Sequence, residues 1–118
     1  MSISVSSRKS KARKLQQWVR DKIKEALNLP AEDVSSRSMG AQGTDILLSD
    51  RASRVFPFAV ECKSQQNLSI WSAWGQAATN VSKSLPFPLL VVKRNNMTPL
   101  VILDADLFFK MIERLRDG

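Results

Sequence analysis

The chain has 118 residues, 43% hydrophobic and 25% charged, which is one domain's worth with the composition of a folded globular protein. One cysteine and no histidine exclude an internal disulfide, a Cys/His zinc site and every mechanism built on a histidine base. Eighteen Lys and Arg against eleven Asp and Glu leave a formal charge of +7, a surplus that favours polyanions such as nucleic acid or acidic membrane surfaces.

Catalysis in such a chain runs on carboxylates, lysine, hydroxyls and a hard metal ion. No apolar run approaches the roughly 20 residues a membrane span needs. Residues 1–10 lack the hydrophobic centre of a secretory signal, so a cytoplasmic location, with no membrane partner, is the expectation. Their Ser, Lys and Arg content predicts a flexible basic arm ahead of a single domain over 11–118.

Ala12, Leu15, Val19, Ile23 and Ala26 recur at helical spacing and predict a helix over 11–27, stopped by Pro30. Eight of the 18 basic residues lie between Arg8 and Lys24. Of these, Arg8, Lys9, Lys11, Arg13 and Lys14 are candidates for contact with a phosphate backbone. A turn at 31–33 leads to a short strand over 34–37. Ser38 to Thr44 carries Gly40 and Gly43, whose spacing points to a sharp bend or a backbone lying close to a ligand. Ser38, Gly40 and Gly43 are counted as DNA-binding candidates.

Strands are expected over 45–49 and 58–63, joined by a polar loop over 50–55. A second helix over 67–83, N-capped by Asn67 or Ser69, presents Ile70, Trp74, Ala77 and Val81 as its buried stripe. Trp71 is expected to serve packing or a subunit contact. Strands over 89–93 and 100–103 follow, around a turn at 94–97. Asp104 caps a last helix that buries Leu107, Phe108, Met111, Ile112 and Leu115. The order α-β-β-β-α-β-β-α predicts an α/β fold, a mixed β-sheet flanked by helices.

If strands 45–49 and 58–63 form a hairpin centred near Ser53, Asp45 faces Glu61. Lys63, two residues on, shares that face, while Ile46, Val60 and Cys62 point the other way. Cys62 is then a core residue. Two carboxylates with a backbone carbonyl, that of Cys62, make an oxygen site suited to Mg²⁺. Lys63 beside it can orient water or stabilise charge building on a phosphate. Phosphodiester hydrolysis fits such a set without a histidine.

Gly43-Thr44-Asp45, Glu61-Cys62-Lys63 and Gln76-Ala77 on the following helix resemble the PD-(D/E)XK nuclease superfamily, across residues 11–93. The short length, the basic first helix and Ser38-Met39-Gly40 are most similar to small phage and archaeal Holliday-junction resolvases. The resemblance implies a restriction-endonuclease-like core and Mg²⁺-dependent cleavage of DNA, with Mn²⁺ able to substitute. It implies metal ligation by Asp45 and Glu61, a catalytic role for Lys63 and Gln76, branched DNA as substrate and a homodimer placing two sites about a twofold axis. Thr44 stands where the motif has proline. Resolvases also carry a first-helix glutamate at the metal. Asp21 and Glu25 lie off the apolar stripe, which leaves Gln16 as the neutral residue in that place. The alternatives are a nuclease acting on ordinary duplex or single-stranded DNA, and a non-catalytic basic DNA-binding protein.

Overall fold

A computed structural model describes residues 5–118. The chain runs α1 (Val5–Leu27), a 3₁₀ turn (Ala31–Asp33), β1 (Val34–Ser36), β2 (Ile46–Leu48), α2 (Asp50–Val55), β3 (Phe58–Ser64), α3 (Ile70–Thr79), β4 (Phe87–Lys93), β5 (Leu100–Ile102) and α4 (Ala105–Asp117). It is an α/β domain, but the expected single mixed sheet is divided in two. β1 and β2 pair antiparallel, Val34 opposite Leu48. β3, β4 and β5 form a three-stranded mixed sheet in which β4 lies parallel to β3 and antiparallel to β5.

β4 is the central strand. Leu89, Leu90, Val91 and Val92 are all buried, the continuous apolar run expected of a strand covered on both faces. On one face Leu89 and Val91 join Val60 and Cys62 of β3, and α1 covers them with Leu15, Val19 and Ile23; Val34 and Ile46 complete this core. On the other face Leu90 and Val92 meet Ala73 of α3, with Trp74, Leu68 and Ile102 packed around them. The alternation along β3 thus sends Cys62 into the α1 core, as expected, and Glu61 and Lys63 to the face that α3 only partly covers.

Several expectations are corrected. α1 starts at Val5, so residues 5–10 are helix rather than a loose arm, and residues 1–4 lie outside the described residues. No glycine or proline interrupts the chain before Pro30, and Lys and Arg are good helix formers. The helix stops before that proline, at Asn28 in the left-handed conformation (φ 53°), where the Leu29 amide returns to the Lys24 carbonyl at 3.0 Å. Ala26 is exposed and drops out of the stripe. The 50–55 segment is a helix rather than a loop: Ser49 Oγ accepts the Ala52 amide at 3.1 Å and donates to Asp33 Oδ1 at 2.7 Å.

α3 is shorter than expected at both ends, and its buried positions are Ala73 and Ala77, two small residues that let it lie close to β4. Ile70 is exposed at its first turn, and Val81 lies beyond its end. Asp104 does cap α4, accepting the Leu107 amide at 3.0 Å. None of that helix's residues is buried, so Phe108, Met111, Ile112 and Leu115 are not the core face expected of them.

Candidate functional site

The assumed hairpin between 45–49 and 58–63 does not form. α2 takes up the connection, and β2 and β3 share no ladder. The two segments meet at Asp45, whose amide donates to the Val60 carbonyl at 2.9 Å. Two residues on along the same edge of β3, the Cys62 amide donates to Asp45 Oδ2 at 2.7 Å. Alternate residues of a strand turn their backbone groups to the same side, and each residue's N–H and C=O point together. The Cys62 carbonyl therefore lies on the edge that Asp45 occupies.

The approach to Asp45 is held by Arg37. Its amide donates to the Asp45 carbonyl at 2.8 Å and its Nε to the Thr44 carbonyl at 2.5 Å. Gly43 has φ 105°, a conformation that L side chains rarely adopt, and a Cβ there would sit 2.9 Å from the Arg37 guanidinium. Thr44 is buried, with Oγ1 donating to the Ile46 carbonyl at 3.0 Å. Gly43 serves this loop packing, and neither it nor Ser38 lines the cleft described next, whereas Met39 and Gly40 do.

Glu61 Oε1 stands 3.7 Å from Lys63 Nζ, both side chains mostly covered. Asn80, the residue that ends α3, donates to Glu61 Oε2 at 3.3 Å. Burial raises the Asp45 carboxyl above the usual carboxylate range, against the opposing pull of the Cys62 amide and the Lys63 and Arg37 charges. Burial also raises Glu61, and repulsion from Asp45 raises it further, so the two carboxylates feel one another. The Cys62 thiol is pushed up strongly by burial and by the same two carboxylates, which fits a packing residue rather than a nucleophile.

Asp45, Glu61 and Lys63 open onto one cleft of about 790 Å³. Arg8, Lys9, Lys11 and Gln16 of α1 line it as well, as do Gln65, Gln66, Asn67 and Asn95. Gln16 is 7% exposed, and no buried side-chain nitrogen or oxygen among the described residues lacks a partner. Gln16 thus lines the same cleft as Asp45 and Glu61.

Gln76 is not brought there. It is exposed on α3 and absent from the cleft wall; the α3 residue in contact with Glu61 is Asn80, one turn later. Its sequence signal was an asparagine at the end of a helix, ahead of the Ser-Lys-Ser-Leu-Pro break. Arg13 and Lys14 are exposed and lie outside this cleft. Trp71 is 84% exposed, so it does not pack within the chain. Among the described residues no cluster of three or more His, Cys, Asp or Glu is present, and no helix is long and apolar enough to cross a membrane. Comparison with protein families, with curated proteins and with solved structures finds no match.

Proposed function

We propose that this chain is a metal-dependent DNA endonuclease of the PD-(D/E)XK type, with a restriction-endonuclease-like core and with Asp45, Glu61 and Lys63 as its catalytic set. The observation that carries the reading is that two part-buried carboxylates and a lysine share one cleft with Arg8, Lys9 and Lys11. An acidic patch alone repels a phosphodiester; cations in the same cleft supply the attraction that holds one in place.

The donor set suits Mg²⁺ or Mn²⁺. Asp45 and Glu61 are hard oxygen donors pushed toward their protonated forms by burial, and Glu61 further by repulsion from Asp45, which is the imbalance a bound cation relieves. Two carboxylates would be completed by neutral oxygens, the Cys62 carbonyl and the Gln16 amide, as Mg²⁺ sites with few carboxylates are. Such an ion supplies positive charge to a phosphate oxygen and makes a bound water more acidic.

The chain's own residues do the remainder. Glu61 anchors the Lys63 ammonium beside the cleft, where it stabilises the negative charge that grows on the phosphate during attack. Asn80 fixes the far oxygen of Glu61, and the α1 cations hold the flanking backbone. A four-way junction cut by a homodimer is the substrate arrangement proposed.

The test is cleavage of a labelled four-way junction, a matched duplex and a single strand, each with Mg²⁺ and with chelator. Metal-dependent cutting is expected, with paired nicks in the junction. Lys63→Ala should keep DNA binding and lose roughly 10²- to 10³-fold in rate, the usual cost of removing one group that stabilises transition-state charge. Binding without cleavage in the wild type, or wild-type rates in Lys63→Ala, would reduce the chain to a basic DNA-binding protein or move its active site elsewhere.

A further inference from the structure

Along α1, Lys11, Lys14, Trp18 and Lys22 follow at intervals of three, four and four residues and so share one face of the helix. The apolar stripe of Leu15, Val19 and Ile23 packs on the sheet without them. Trp18 keeps 44% of its surface exposed, and Lys22 Nζ lies 5.4 Å from the centre of its ring. The indole borders a second cleft, of about 620 Å³, with Lys11, Lys14, Lys93 and Asn95 on its walls.

This cleft is continuous with the carboxylate cleft. Lys11, Ser64 and Asn95 line both, and Lys11 Nζ donates to Asn95 Oδ1 at 2.9 Å where they join. The junction sits just past the carboxyl ends of the parallel strands β3 and β4, the side on which open α/β sheets bind ligands. From Lys11 to Lys22 the stripe is about 16 Å long at 1.5 Å per residue, room for a few nucleotides of extended strand.

We infer that this stripe is a track for an unpaired nucleic-acid strand, with Trp18 as a stacking platform for one base and Lys11 and Lys14 on the adjoining phosphates. The inference rests on the proposed nuclease reading for what lies at the far end of the track, but its own content is binding. Lysines alone would take any polyanion. The aromatic face set among them adds a group that only an unstacked base can use, because bases in a duplex are already covered on both faces. The amides of Gln65, Gln66 and Asn95, each with donors and an acceptor, suit base edges rather than phosphate alone.

The experiment is binding of the full chain, in chelator so that nothing is cut, to fluorescein-labelled oligothymidylate, to an abasic strand of equal length and to a matched duplex. The wild type should prefer the base-bearing over the abasic strand, and Trp18→Ala should lose about tenfold on the former and erase the preference, while Trp18→Phe keeps it within about threefold. Duplex affinity should move less than about twofold in either variant, since it rests on phosphate contacts. Trp71→Ala is the control on an exposed tryptophan outside both clefts. Thermal melts of each variant separate lost binding from lost folding.

No base preference in the wild type, an unchanged preference in Trp18→Ala, or equal losses on strand and duplex would overturn the track. A chain that binds as expected yet cuts no DNA would sink the nuclease reading and leave the track. Metal-dependent duplex cutting without base preference would do the reverse.

Discussion

Gln76 and Asn80 show how finely position acts at the scale of the residue. They lie four apart on the α3 segment, yet Asn80 Nδ2 reaches Glu61 Oε2 at 3.3 Å, while Gln76 is exposed and does not line the cleft. Asn80 is the residue that ends the helix, ahead of the connection to β4, and its short side chain suffices. Losing one hydrogen bond to a charged group that water can partly replace costs on the order of 1 kcal/mol. Asn80→Ala should therefore slow DNA cleavage roughly 3- to 10-fold, and Gln76→Ala should stay within about twofold of wild type in the same assay. Equal effects at the two positions would remove Asn80 from the site. The spacing of Glu61 and Lys63 was legible in the sequence, because period two is a property of any strand. The Asn80 contact was not, because it depends on where α3 stops.

At the scale of the element, local signals placed nearly every helix and strand, and the errors share a cause. The 50–55 segment reads as loop by its charges, but Ser49 as N-cap and Asp50 in the first turn are sufficient for a short helix anchored on Asp33. That helix replaces the hairpin loop and leaves β2 and β3 unpaired, while the Asp45–Val60 and Cys62–Asp45 bonds still bring Asp45 to its expected neighbours. For α3 and α4 the sequence gives amphipathicity but not the surface each face meets. Leu90, completely buried under Ala73, carries packing that the exposed Leu115 does not. In urea unfolding, Leu90→Ala should cost about 2–5 kcal/mol. Leu115→Ala, at 76% exposure, should stay within about 0.5 kcal/mol. A Leu115 cost near that of Leu90 would mean that α4 packs as its periodicity suggests.

At the scale of the whole molecule, two sets of carboxylates pull stability in opposite directions with pH. Arg51 and then Ser49 hold Asp33 below the usual carboxylate range, so its contribution is present above the ordinary value and is lost as pH falls through its depressed value. Asp45 and Glu61 are raised by burial. Between the ordinary value and the raised one the folded state holds more protons than the unfolded chain, so stability falls as pH rises and the cost is complete above the folded value. Asp45→Asn should therefore raise the melting temperature of the metal-free protein at neutral pH, with the gain fading as pH falls through the raised folded value and gone below about pH 4, where unfolded aspartate is itself protonated. The amide oxygen of Asn can still accept the Cys62 N–H, which keeps the loop in place. A lower melting temperature for Asp45→Asn at neutral pH would show that its charge is already balanced within the fold. Adding Mg²⁺ should stabilise the wild type more than the variant, since loss of a charged ligand weakens binding.

By itself the sequence determined the residue types available for chemistry, the positive charge gathered on the first helix, the shared face of Glu61 and Lys63, and the order of helices and strands apart from α2. These depend on composition and on short-range periodicity, which each segment carries within itself. Only the tertiary structure decided that Gln16 and the Arg8–Lys11 turn of α1 line one cleft with the carboxylates, that Asn80 rather than Gln76 touches Glu61, and that α4 stands clear of the core. Those outcomes turn on how far each element runs and at what angle it packs. Such quantities are set by contacts between residues distant in the chain, where the small side chains of Ala73 and Ala77 count for as much as any motif.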